Sequence, residues 1–96
     1  MRTQITAVQF NATDSLKEFA ENEVKRLLKF ADDILNCEVQ FSYIKQEKKA
    51  HVQVSVDGVI LNASAATEDF KKSTVLAVDK LEGQIKKHKD KLQQRH

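Results

Sequence analysis

Residues 36–66 read NCEVQFSYIKQEKKAHVQVSVDGVILNASAA, and they decide the fold. In 36–45, Cys37, Val39, Phe41 and Tyr43 fall on one face and Glu38, Gln40 and Ser42 on the other. That period of two is the signature of a half-buried strand. Residues 46–49 form a charged turn. Residues 51–57 alternate again, with Val52, Val54 and Val56 inward. Asp57-Gly58 stands between two apolar runs, a two-residue hairpin signal that requires positive φ. Residues 59–66 form the returning strand, with Leu61, Ala63 and Ala65 inward. Three consecutive strands therefore make an antiparallel meander.

Residues 2–10 are rich in Ile, Val and Thr and read as a further strand, followed by a polar junction at 11–15. Thr13 or Ser15 caps the next helix. Asp14 and Glu18 suit its positive N-terminal end, and Ser15 with Glu18 fits a capping box. Leu16, Phe19, Ala20, Val24, Leu27, Leu28 and Ala31 recur at three- and four-residue spacing, predicting an amphipathic helix that ends near 30–32. On the other side of the meander, Thr67, Glu68 and Asp69 open a second, longer helix. Its stripe is Phe70, Thr74, Ala77, Val78, Leu81, Ile85, His88 and Leu92. About twenty-five residues at 1.5 Å rise give roughly 37 Å, so the last turns project past the sheet. The order is β-α-β-β-β-α, an α+β fold with a four-stranded mixed sheet. The first helix is a right-handed crossover, which makes the first two strands parallel neighbours. Both helices cover one face. Gln40, Ser42, Gln53, Ser55, Asn62 and Ser64 line the other, which stays wet. A length of 96 residues predicts one domain, 1–96.

Composition narrows the function classes. Hydrophobic residues are 41%, enough for a modest core, and the absence of proline with only two glycines points to long regular elements. Gly58 and Gly83 cannot make a phosphate loop. His51, His88 and His96 lie far apart without metal-ligand spacing. Cys37 is the single cysteine, which excludes an internal disulfide and fits a reducing compartment as a buried strand residue. Asp32-Asp33 and Glu68-Asp69 are adjacent carboxylates whose helix-end positions explain them. His88, inside the apolar stripe between Lys87 and Lys89, reads as a packing residue. The expectation is therefore no enzyme, no cofactor, no metal and no small-molecule substrate. The first ten residues lack a signal-peptide core and no apolar run reaches membrane-spanning length, so a cytoplasmic protein without a membrane partner is expected.

Charge is sorted along the chain. The whole chain carries +2, yet residues 84–96 hold Lys86, Lys87, Lys89, Lys91 and Arg95 against Asp90 alone. Residues 1–44 have five basic and seven acidic side chains, and 45–83 are balanced. Lys80, Lys87 and Lys91 follow a 7-then-4 spacing and share a stripe on the second helix, flanked by Lys86 and Lys89. Lys25, Arg26 and Lys29 cluster near the end of the first. With the helices side by side the clusters merge into one cationic surface that grips phosphates by charge. A merely solvated helix face accounts for the same lysines, with the first helix's cations complementing its dipole. The asymmetry favours binding of a polyanion.

The string Asp79-Lys80-Leu81-Glu82-x-Gln84-Ile85-x-Lys87-His88-Lys89-Asp90-Lys91-Leu92 resembles the end of short ribosome hibernation-promoting factors. These are grouped with the ribosome-associated inhibitor proteins and sometimes filed as σ-factor modulators. Further matches are Thr13 and Leu16, Lys25 through Phe30, the strand at 51–56, and Leu61-Asn62-Ala63-Ser64-Ala65 followed by Glu68-Asp69. The resemblance spans essentially the whole chain. It implies the same β-α-β-β-β-α fold, similar to double-stranded-RNA-binding domains. It implies binding to the small ribosomal subunit and its rRNA in the channel used by mRNA and tRNA, silencing translation under stress or in stationary phase. Short members favour pairing of ribosomes into inactive dimers, and a chain that stops at His96 resembles that type. Taken together with the charge pattern, the residues expected to contact rRNA are Lys25, Arg26, Lys29, Lys80, Lys86, Lys87, Lys89 and Lys91. One stretch departs from the family. Where members commonly have Asp-Met-Tyr-x-Ala-Ile-Asp, this chain has Asp69-Phe70-Lys71-Lys72-Ser73-Thr74-Val75. The alternative reading is a protein-interaction module that modulates a transcription factor through the polar sheet face or the acids of the first helix.

Overall fold

A computed structural model describes residues 1–93. The elements are β1 (Arg2–Ala7), α1 (Asp14–Val24), a 3-10 segment (Lys25–Lys29), β2 (Asn36–Ile44), β3 (Glu47–Val56), β4 (Val59–Thr67) and α2 (Phe70–Gln93). The sheet order is β1-β2-β3-β4. β1 runs parallel to β2, with Ile5 opposite Val39, and the other two pairings are antiparallel. The mixed four-stranded sheet and the β-α-β-β-β-α order are those read from the sequence.

The strand period of two is realised as buried inward faces. Cys37, Val39 and Phe41 of β2 and Ala50, Val52, Val54 and Val56 of β3 meet Leu16, Ala20, Val24 and Leu27 and, from α2, Ala77, Val78, Leu81 and Ile85. Thr13 is the cap of α1: its Oγ1 accepts from the Leu16 N–H at 3.1 Å. Asp69 does the same for α2, accepting from the Lys71 N–H at 3.2 Å. The Asp57-Gly58 turn has φ of 53° and 76°, the two positive values a tight hairpin needs.

Three boundaries and two exposures differ from the sequence reading. The α-helix stops at Val24 and continues to Lys29 as a 3-10 turn. Three residues per turn align Val24 with Leu27 toward the core and Arg26 with Lys29 away from it. The β2–β3 turn is Lys45-Gln46, tighter than 46–49, because Tyr43 pairs with Lys48 and Ile44 with Glu47. No glycine marks that turn; Lys45 itself takes φ of 56°. β1 ends at Ala7, and Gln9 then adopts φ of 64°. Tyr43, on the inward side of β2, is 55% exposed because it lies at the rim of the covered region, against the first residue of α2. Leu92 is likewise 41% exposed where α2 outruns the sheet. Two polar residues join the core instead: Thr74 Oγ1 donates to the Phe70 carbonyl at 2.7 Å, and Ser73 Oγ donates to the Lys48 carbonyl at 2.6 Å.

Candidate nucleic-acid interface

α2 lies with β4 along one flank and the 3-10 segment along the other, and its lysines divide between them. Lys80, Lys87 and Lys91 face the β4 side. Lys80 Nζ donates to the Ser64 carbonyl at 2.9 Å, and Gln84 Nε2 donates to the Asn62 carbonyl at 2.7 Å. These two bonds cover outward carbonyls of the edge strand, which protects it from pairing with another chain. Lys87 and Lys91 border a shallow surface recess with Leu61, Gln84 and His88. On the opposite flank, Lys86 Nζ stands 4.6 Å from the centroid of the Phe30 ring, a cation–π contact with the residue that follows Lys29 in the chain.

Arg26 is placed differently from its neighbours. Its guanidinium donates to Glu23, to Asp79 Oδ1 at 2.8 Å and to Glu82 Oε1 at 2.7 Å, tying the 3-10 segment to α2. Asp79, then Glu23, hold its pKa above the ordinary arginine value. Its charge is thus answered by three carboxylates within the protein. Lys89 is similarly engaged: Nζ donates to Asp33 at 2.9 and 3.0 Å and to Asp57 Oδ2 at 2.9 Å. Asp57, then Asp33, raise its pKa, and Lys89 in turn lowers that of Asp57. His88 Nε2 lies 3.1 Å from the same Asp57 oxygen. This network fastens the outer part of α2 to the β3–β4 turn and to the loop before β2.

The eight cations expected at the interface are therefore not equivalent. Lys25, Lys29, Lys86, Lys87 and Lys91 have no carboxylate partner among the described residues, whereas Arg26 and Lys89 do, and Lys80 is bonded to β4. The helices do lie side by side, and Lys86 meets the segment of Lys29 and Phe30. Lys87 and Lys91 stand around the helix from them, so the cations form two flanking rows rather than one patch. Arg95 lies outside the described residues. Among the described residues there is no group of three or more His, Cys, Asp or Glu that can hold a metal ion, and no helix is long and apolar enough to cross a membrane. The acids that answer Arg26 and Lys89 were not read from the sequence. Only Arg26-to-Glu23, at i and i−3, carried a local signal; the others come from 53 to 56 positions away or from the hairpin tip.

Residues 3–93 match the family described as Sigma 54 modulation protein / S30EA ribosomal protein. The chain belongs to this family. Among S30EA relatives, the ribosome hibernation promoting factor of Azotobacter vinelandii is 32% identical over 91 residues, covering 95% of this chain and 85% of that protein. The ribosome hibernation promoting factor of Escherichia coli strain K12 is 31% identical over 94 residues, 98% of this chain and 99% of the other. A solved ribosomal subunit interface protein from Coxiella burnetii superposes with a TM-score of 0.88 at 30% identity, covering 94% of this chain and 99% of that one. The span matched to the S30EA family thus includes both cation rows and the Asp33–Lys89–Asp57 fastening that sets their spacing.

Proposed function

We propose that this chain is a ribosome hibernation factor and forms a single ribosome-binding domain over 1–96. It binds the small ribosomal subunit through rRNA phosphates in the mRNA/tRNA channel, blocks translation and promotes inactive ribosome dimers under stress or in stationary phase. The observation that carries this reading is the set of lysines without internal carboxylate partners, Lys25, Lys29, Lys86, Lys87 and Lys91, on the two flanks of a helix that outruns its sheet. Relatives named ribosome hibernation promoting factors support the same reading. A rigid rod with ammonium groups on both sides is able to touch phosphates on two facing rRNA strands at once. Such contacts report shape and charge, not base sequence. Lys80, Lys89 and Arg26 complete the expected interface by holding the rod in place as well as adding charge.

Sedimentation of the purified protein with ribosomes through sucrose gradients, at low and moderate salt, tests this. Co-migration with the small subunit, together with a heavier ribosome-dimer peak, is the expected result. Protein left at the top of the gradient in both salts overturns it. Binding to a protein partner that survives RNase and high salt would favour transcription-factor modulation instead.

A further inference from the structure

We propose that the opposite end of α2 from the lysine rows holds a second, separate site, one that takes an unstacked base and its phosphate from a single-stranded stretch of RNA. This rests on the RNA-binding reading above but uses none of its residues. Phe10, Tyr43 and Phe70 line a recess of about 270 Å³ at the start of α2, room for one flat ring rather than a large ligand. Phe10 and Phe70 are stacked at 5.2 Å with an interplanar angle of 13°, and Tyr43 stands edge-on to both, 5.1 and 5.2 Å away. Phe70 is buried, but more than half of Tyr43 faces solvent. That exposure leaves one ring of the cluster open for a base to stack on.

The backbone is arranged for this. Continuing the alternation of β1 past Ala7 and Val8 would put Phe10 on the open sheet face. The left-handed Gln9, φ 64°, breaks the phase and turns Phe10 to the helix side against Phe70. Two lysines border the recess, Lys48 with Nζ 5.8 Å from the Phe70 centroid and Lys71 with Nζ 3.2 Å from Ser15 Oγ. Neither has a carboxylate partner among the described residues. Asp69 also borders the recess, but its carboxylate is engaged by the Lys71 N–H. Exposed ring plus unanswered ammonium is the pairing that a nucleotide satisfies, base on ring and phosphate on lysine.

Tyr43 is the chain's only tyrosine and there is no tryptophan, so its fluorescence reports this recess alone. The experiment titrates the full chain with a fluorophore-labelled single-stranded RNA hexamer, reading binding by anisotropy and stacking by Tyr43 emission. Inorganic polyphosphate is the base-free control. The expected result is quenching by RNA and none by polyphosphate, with Lys48→Ala/Lys71→Ala shifting the quench to about tenfold higher RNA concentration. Tyr43→Ala, which also loses the edge contacts to Phe10 and Phe70, should weaken RNA binding by a similar factor in a variant that is still folded at the assay temperature. RNA that binds without quenching overturns the recess and leaves the lysine rows standing; a hexamer that does not bind at all overturns the recess, while the lysine rows stand or fall by co-sedimentation with ribosomes. Equal quenching by polyphosphate, or quenching by an acidic peptide and not by RNA, also overturns it.

Discussion

Arg26 answers three carboxylates, and its removal leaves Glu23, Asp79 and Glu82 facing one another. Because the group is partly exposed, Arg26→Ala should cost about 1 kcal/mol in denaturant unfolding, more at low salt than at high. Lys25→Ala or Lys29→Ala, lacking such partners, should leave stability unchanged and lower ribosome affinity instead. The sequence marked all three as one basic cluster. Nothing local distinguished the arginine, since two of its acids are more than 50 positions away on α2. A second residue-scale expectation concerns Asp57. Lys89 holds the Asp57 carboxyl below its ordinary value of 3.8, so its contribution to stability is present above that pH and is lost as pH falls through the lower folded value. Lys89 is raised above 10.5, so its share is present below that pH and is lost on going more alkaline. Both are intact at neutral pH. The neighbouring Gly58 amide resonance should titrate with a midpoint below 3.8 in the parent and move up toward it in Lys89→Ala. Cys37 was legible as a buried strand residue, and burial pushes its thiol up to about 12. It should resist a thiol reagent at about pH 8 in the native protein and react only in denaturant.

At the scale of elements, the meander was readable because its inward positions are Val, Phe, Cys and Ala in unbroken alternation and its second turn is Asp-Gly. Gly58→Ala places a Cβ at φ 76° and should cost about 1 kcal/mol, with its effect concentrated on the β3–β4 hairpin by amide exchange. The first turn was misplaced because Glu47, Lys48 and Lys49 look like loop. They are strand residues at the open end of the sheet, where charge is tolerated on both faces. The break in the first helix was also invisible. A 3-10 turn keeps the same apolar residues inward while shifting its hydrogen bonds from four residues to three, which changes no residue type. The long helix was the clearest of all. Its buried residues Ala77, Val78, Leu81 and Ile85 recur at three and four, and Leu81→Ala should cost about 2–5 kcal/mol through the cavity it leaves between α2 and the sheet.

Across the whole molecule, the described residues span 47 Å along the long axis against 22 and 18 Å, and α2 contributes about 36 Å of that. The basic rod is held by the Asp33–Lys89–Asp57 and Arg26 networks, so its lysines keep a fixed spacing that a loose tail would not. On the proposed reading these lysines grip rRNA phosphates. This is tested most directly by the salt dependence of binding to purified small subunits, comparing the parent with a Lys86→Ala/Lys87→Ala/Lys89→Ala/Lys91→Ala variant. Every lysine–phosphate pairing that the substitutions abolish should flatten the slope of log affinity against log salt by roughly one unit. Lys89 is already answered by two acids, so the slope should fall by about three units rather than four, in a variant that still folds. An unchanged slope in that folded variant would contradict it.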